Sequence, residues 1–256
     1  MAVMDEFREE REKVKHGTFQ EKWKYFWDYY KWHVIGGTFA AVMVIWLVYD
    51  IVTQEDSVLF VELLNCYSAY DDSEYVASVT EYLGVEDGET ITIETGLDVT
   101  EDTEEYTSFE VLATRIAANE LDVMVAEEET IAGYAQEDTL IDLTTVMSEE
   151  QLERYSDYFY YVDYALIESG YYEETSYEEQ VLDGTAGHAS PEDMEQPVAV
   201  GVFIATTDEA GDYVCTSSDF NSNYYYGTEV IFTIMCYTEH TETALQFLDY
   251  ICGYGS

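Results

Sequence analysis

The sequence predicts an α/β domain, a mostly parallel sheet with flanking helices, preceded by an amphipathic helix and a single transmembrane helix. Three observations predict it. An apolar stretch of nineteen residues, Val34 to Val52, carries Asp50 as its only charge. Seven of the nine Lys and Arg residues precede that stretch. Beyond it, strand-like and helix-like patterns alternate.

The apolar stretch comes first. At 1.5 Å per residue it spans about 28 Å, close to the hydrocarbon thickness of a bilayer. Arg8, Arg11, Lys13, Lys15, Lys22, Lys24 and Lys31 lie before it, and only Arg115 and Arg154 lie after. The positive-inside rule then places a short N-terminal tail in the cytoplasm and the C-terminal domain outside. A cleaved signal peptide is the competing reading. The stretch starts late, is long for such a peptide and lacks an A-x-A-like exit, which favours an uncleaved anchor. The expected organisation is a cytoplasmic tail over 1–32, a transmembrane helix over 33–53 and an extracytoplasmic domain over 54–256. The expected location is the cell membrane, single-pass.

Within the tail, Thr18 and Glu21 form a T-x-x-E capping box that marks a helix start. Trp23, Phe26, Trp27 and Tyr30 then fall at i, i+3, i+4 and i+7, one face of a helix. Lys22, Lys24 and Lys31 flank that face. This pattern reads as an interfacial helix with rings at head-group level, the bilayer being its partner; a face packed on a protein is the alternative. Trp32 marks the inner membrane boundary, and Trp46 and Tyr49 the outer. Gly36 and Gly37 sit inside the span, without a GxxxG spacing.

The C-terminal domain is strongly acidic. From Glu55 onward there are 47 Asp and Glu against two Arg, most of the chain's net charge of −46. Such a field repels nucleic acid and anionic head groups and favours cations and basic partner surfaces. A hydrophobic fraction of 47 % and an aromatic fraction of 16 % argue for a packed core despite the charge. Cys66, Cys215, Cys236 and Cys252 lack CxxC spacing, which speaks against a zinc knuckle or a thioredoxin-type site. Their apolar neighbourhoods favour buried thiols over disulfides.

Along this domain, Ser57–Tyr67 reads as a strand, Ser73–Leu83 as a helix ended by Gly84, and Thr90–Glu94 as a strand. Tyr106–Asn119 reads as a helix and Leu121–Ala126 as a buried strand. Ser148–Tyr155 is helix-like. The pattern then loosens through the tyrosine-rich stretch 158–172 and a loop from Asp183 to Pro197. Val198–Thr206 and Glu229–Tyr237 are strands, and Thr241–Ile251 is a closing amphipathic helix.

Catalytic signatures are missing from the sequence. His16, His33, His188 and His240 form no HExxH or C2H2 spacing, and no GxSxG, P-loop, GxGxxG or EF-hand motif occurs. Carboxylates are too abundant for any pair to point to glycoside hydrolysis. The expectation is a non-enzymatic domain with no cofactor and no metal site. In parallel α/β sheets ligands lie beyond the carboxyl ends of the strands. That rule selects Tyr67, Ser68 and Tyr70 after the first strand, Thr95 and Gly96 after the second, and Glu127 and Glu128 after the third. Tyr158–Tyr164 and Tyr224–Tyr226 are the candidate patches for a protein partner.

Two stretches carry a family resemblance. In Ser108–Tyr155, the turn Ala118-Asn119-Glu120, the strand Asp122-Val123-Met124-Val125, Tyr134-Ala135 and Leu140-Ile141-Asp142-Leu143 follow one another. At the end, IFTIMCYTEHTETALQFLDYI joins a strand to an A-x-x-F-L-x-Y helix. Together they resemble the extracellular solute-binding proteins of ABC transporters, with a type 2 periplasmic-binding fold. Val198–Ile204 matches the strand that re-enters the first lobe. Full members are longer; here only about Tyr155 to Gln196 stands where their second lobe would be, and no lipobox cysteine is present. The resemblance therefore implies one periplasmic-binding-like lobe on a membrane anchor. It implies a small solute as ligand, or a role accessory to a transporter or membrane complex at a bacterial cell surface. The alternative is an interaction protein that docks a basic partner on an acidic, tyrosine-rich surface.

Overall fold

The computed structural model describes residues 18–53, 55–66, 72–99, 106–186, 191–207, 213–215, 220, 224–225 and 229–254. The chain divides into two units, Met1–Gln54 and Glu55–Ser256.

In the first unit, one helix, α1, runs without a break from Phe19 to Thr53. It starts directly after Thr18, where the capping signal places a helix start. The two helices expected from the sequence are thus one, about 52 Å long at 1.5 Å per residue. No proline or turn residue separates the aromatic face from the apolar stretch, so backbone hydrogen bonding continues through both. Tyr30–Thr53 is long and apolar enough to cross a bilayer, and none of its apolar window is buried.

In the second unit, a seven-stranded sheet has the order β2-β1-β3-β7-β5-β4, with β6 added on β5. The strands are β1 (Asp56–Leu63), β2 (Glu89–Glu94), β3 (Val123–Ala126), β4 (Phe159–Asp163), β5 (Pro197–Thr207), β6 (Tyr213–Cys215) and β7 (Val230–Ile234). The helices are α2 (Asp72–Leu83), α3 (Tyr106–Ala117), α4 (Glu128–Gln136), α5 (Glu149–Tyr155), α6 (Tyr164–Ser169), α7 (Tyr171–Glu174), α8 (Tyr177–Asp183) and α9 (Thr241–Ile251). Left-handed Gly84 ends α2, as expected.

The α/β class holds, but the sheet is mixed. β1 pairs parallel with β2 and β3 because α2 and α3 carry the chain back over the sheet between them. The remaining pairings are antiparallel. Too few residues separate β5 from β6 for a helical crossover, and the two strands pair antiparallel.

Helices cover both faces. On one face α2, α5 and α9 pack over Leu59, Val61, Val123 and Phe232 of the sheet, α9 through Phe247. On the other, α3, α4, α6 and α7 pack over Met124, Tyr160 and Ile231, α3 through Leu112 and α4 through Ile131. The alternation along β5 switches sides at Gly201, where the register against β4 slips by one residue. A Cβ there would stand 2.5 Å from Ile231 Cγ2, so the crossing needs glycine.

β4 is the element missed in the loosened stretch. Tyr160 within it is fully buried, and Tyr224 and Tyr225 are buried in the other core. Those tyrosines therefore pack the interior and are not exposed partner patches; Tyr226 lies outside the described residues. Cys252 is buried and Cys66 half-buried, but Cys236 is exposed just past β7, contrary to expectation.

Candidate functional site

At the carboxyl ends of β1, β2 and β3 one side chain ties three loops together. Asn65 follows β1 in a left-handed conformation, φ 54°, a geometry that asparagine tolerates better than most residues. Its backbone N–H donates to Leu97 O at 3.0 Å. Its Oδ1 accepts from the Val99 N–H at 2.7 Å in the loop after β2. Its Nδ2 donates to Glu127 Oε2 at 2.9 Å and to Thr130 Oγ1 at 3.3 Å, after β3. The Cys66 thiol donates to Thr95 O at 3.5 Å, and the Tyr225 hydroxyl donates to Val125 O at 2.9 Å.

The strand-end rule thus gathers four of its seven residues: Thr95, Gly96, Glu127 and Glu128. Tyr67, Ser68 and Tyr70 lie outside the described residues. Glu127 and Glu128 are half-buried at the start of α4, where carboxylates complement the helix dipole. Tyr177 of α8 hydrogen-bonds Glu128, and burial together with that carboxylate takes the phenol above its ordinary range. The rim is acidic and phenolic, chemistry suited to a polar or cationic ligand. Sequence reasoning missed Asn65; its signal is an asparagine directly after an apolar run.

Beneath this rim lies a buried charge cluster. Glu62 of β1 is fully buried and stands opposite Glu94 of β2. Like charges side by side repel, and Arg115 of α3 bridges them, binding Glu62 and binding Glu94 at 2.6 Å. Its guanidinium lies 5.0 Å from the Phe60 ring centroid. Burial pushes the Glu62 carboxyl up to about 7, outweighing the pull of Arg115, and Glu94 adds to the rise. Among the described residues Glu62 Oε1 has no hydrogen-bond partner.

At the amino end of β3, Asp122 makes the opposite knot. It accepts from the Phe60 N–H at 2.7 Å, from the Thr238 hydroxyl, and faces His240 Nδ1 at 3.1 Å. His240, read from the sequence as a lone residue before the last helix, is thereby oriented by a buried aspartate. Among the described residues no group of three or more His, Cys, Asp or Glu is placed to hold a metal ion.

A groove of about 760 Å³ runs between α5 and α9. Val146, Met147 and Leu245 give it apolar walls, and Glu150, Gln151, Glu242 and Gln246 give it polar ones. Asp249 anchors one side, holding Arg154 at 2.7 Å, the Tyr155 hydroxyl at 2.7 Å and Gln151 at 2.9 Å.

On α1, the expected interface residues Trp23, Phe26, Trp27, Tyr30, Trp32, Trp46 and Tyr49 are all exposed. Phe19, Trp23, Phe26 and Tyr30 form a ladder of rings with successive centroids 6.4, 5.9 and 5.4 Å apart.

No protein-family model matches the chain, and no curated protein matches it. Two solved structures are similar to parts of it. One is an extracellular solute-binding protein family 1 from Alicyclobacillus acidocaldarius, at 22 % identity and TM-score 0.25, covering 36 % of this chain and 21 % of that one. The other is the apo form of RafE from Streptococcus pneumoniae, at 16 % identity and TM-score 0.22, covering 45 % of this chain and 33 % of that one. The chain thus spans a third or less of the length of either. At these TM-scores neither likeness fixes a fold, and the α/β architecture stands on the sheet itself.

Proposed function

We propose that residues 54–256 form an extracytoplasmic binding domain of solute-binding type. In this reading α1 anchors the domain to the cell membrane with the N-terminus in the cytoplasm, and the protein serves a transporter or other membrane complex. The observation that carries the reading is the Asn65 junction. It holds three strand-end loops in one arrangement at the edge where parallel sheets take their ligands, and it holds an acidic rim with them. Ligand is held on this single rim rather than between closing lobes.

The test is a thermal-shift panel on the full chain in nanodiscs, with sugars, amino acids, peptides and polyamines. A Tm rise of several degrees for one class, lost in Glu127→Gln and Glu128→Gln, is the expected result. A flat panel removes the solute reading.

A second reading is favoured by the α5–α9 groove, whose apolar floor and acidic rim suit a basic partner segment. Recovery of partners from native membranes that falls as salt rises supports it, and salt-insensitive recovery counts against it.

A further inference from the structure

Two stripes run side by side along the first three turns of α1. Phe19, Trp23, Phe26 and Tyr30 repeat at i, i+4, i+7 and i+11. Gln20, Lys24, Trp27 and Lys31 repeat at the same spacing, one residue on. One stripe is a ladder of exposed rings, and the other carries two lysines around a tryptophan. Between them is a shallow recess of about 450 Å³ lined by Phe19, Gln20, Trp23, Lys24 and Trp27. Along the helix axis Trp27 and Lys24 fall about 4.5 Å and 9 Å beyond Tyr30, the first residue of the membrane-length window. That is head-group depth for a tilted helix.

We propose that this recess binds an anionic phospholipid head group, the phosphate on Lys24 and the glycerol and first methylenes on Trp27, which lies nearer the span. The inference rests on reading α1 as membrane-spanning. Charge selects the occupant. The lysines lie beside the rings, so a negatively charged amphiphile satisfies both stripes at once. A large patch of aromatic rings such as this is not left in water.

All four tryptophans of the chain lie on α1, at 23, 27, 32 and 46, so tryptophan emission reports this helix alone. The test uses the full chain in nanodiscs of phosphatidylcholine and phosphatidylglycerol in equal amounts, so that random contact gives equal quenching. One or the other lipid carries bromine as quencher. Two forms are compared, one retaining Trp23 and Trp27 and the other retaining Trp46, with phenylalanine at the remaining tryptophans. Emission from the recess form is expected to be quenched about twofold more by brominated phosphatidylglycerol than by brominated phosphatidylcholine. Lys24→Glu should bring that ratio to one, and inorganic phosphate should leave it unchanged. A ratio of one in the unaltered stripe, with Trp46 still quenched, overturns the head-group site and leaves the anchor standing. Competition by inorganic phosphate overturns it in favour of a free-anion site. Trp46 escaping both quenchers overturns the anchor and this inference with it.

Discussion

Arg115 and Arg154 are the only Lys or Arg residues after position 54, and the structure uses them alike and yet to different effect. Each bridges two carboxylates and lies over an aromatic ring, Arg115 on Phe60 and Arg154 on Tyr254. Arg115 serves Glu62, whose side chain is 0 % exposed, whereas Arg154 serves Asp249, whose side chain is 17 % exposed and has further donors. In a domain with 47 acidic residues, both cations sit where carboxylates leave water. Buried Asp122 and Asp163 are held instead by backbone N–H groups, with the Thr238 hydroxyl and His240 added at Asp122. Electrostatic cost is thus set by burial, not by the number of charges.

The largest expected effect breaks the buried site. Arg115→Met leaves Glu62 without its cation and should cost about 3–5 kcal/mol. Chemical denaturation of the full chain, followed by far-ultraviolet circular dichroism, measures it. Adding Glu62→Gln should recover most of the loss, because the stranded charge is then gone. A loss as small as that of the exposed site would erase the distinction between the two arginines.

Next comes pH. The folded-state value for Glu62 is raised above its unfolded one, so the folded protein holds the proton longer. Stability from this group is full below about 4.5 and is lost as pH rises to about 7. The loss should be about 3 kcal/mol and level off above that pH. Mutual repulsion of the other carboxylates runs in the same direction. The measured quantity is therefore the difference between the natural protein and Glu62→Gln across pH 4.5 to 8, which should show this window alone.

Asn65→Ala removes three hydrogen bonds at the strand ends and should cost about 2 kcal/mol. Accelerated amide exchange at Val99, read by mass spectrometry, should follow. Smallest is Arg154→Ala, at about 1 kcal/mol, since Asp249 keeps the Tyr155 hydroxyl and Gln151 and has access to water. The midpoint of the same denaturation curve reads it.

Much of the fold was legible because its signals are local. Thr241–Ile251 has the predicted bounds, and β1 to β3 with α2 and α3 follow the alternation read from the chain. β4 was not legible. Its Phe-Tyr-Tyr-Val-Asp run faces both cores, and tyrosine is as common on surfaces as inside. The strand-end rule needs only strand order, and it places Thr95, Gly96, Glu127 and Glu128 directly after β2 and β3. Asn65 and Glu62 were not legible, because one asparagine and one carboxylate among 55 stand out only once their surroundings are known. The pairing of Asp122 with His240 joins residues 118 positions apart.

By itself the sequence determined the division into an apolar helix and an acidic α/β domain, and the placement of nearly all basic residues before that domain. Those properties are sums and periods along the chain, and no distant contact alters them. Only the tertiary structure decided that most strand pairings are antiparallel, that Arg115 holds the buried Glu62 and that Asn65 joins three loops. Each of these depends on pairing and burial between remote segments, where a residue's energy is set by its neighbours in space.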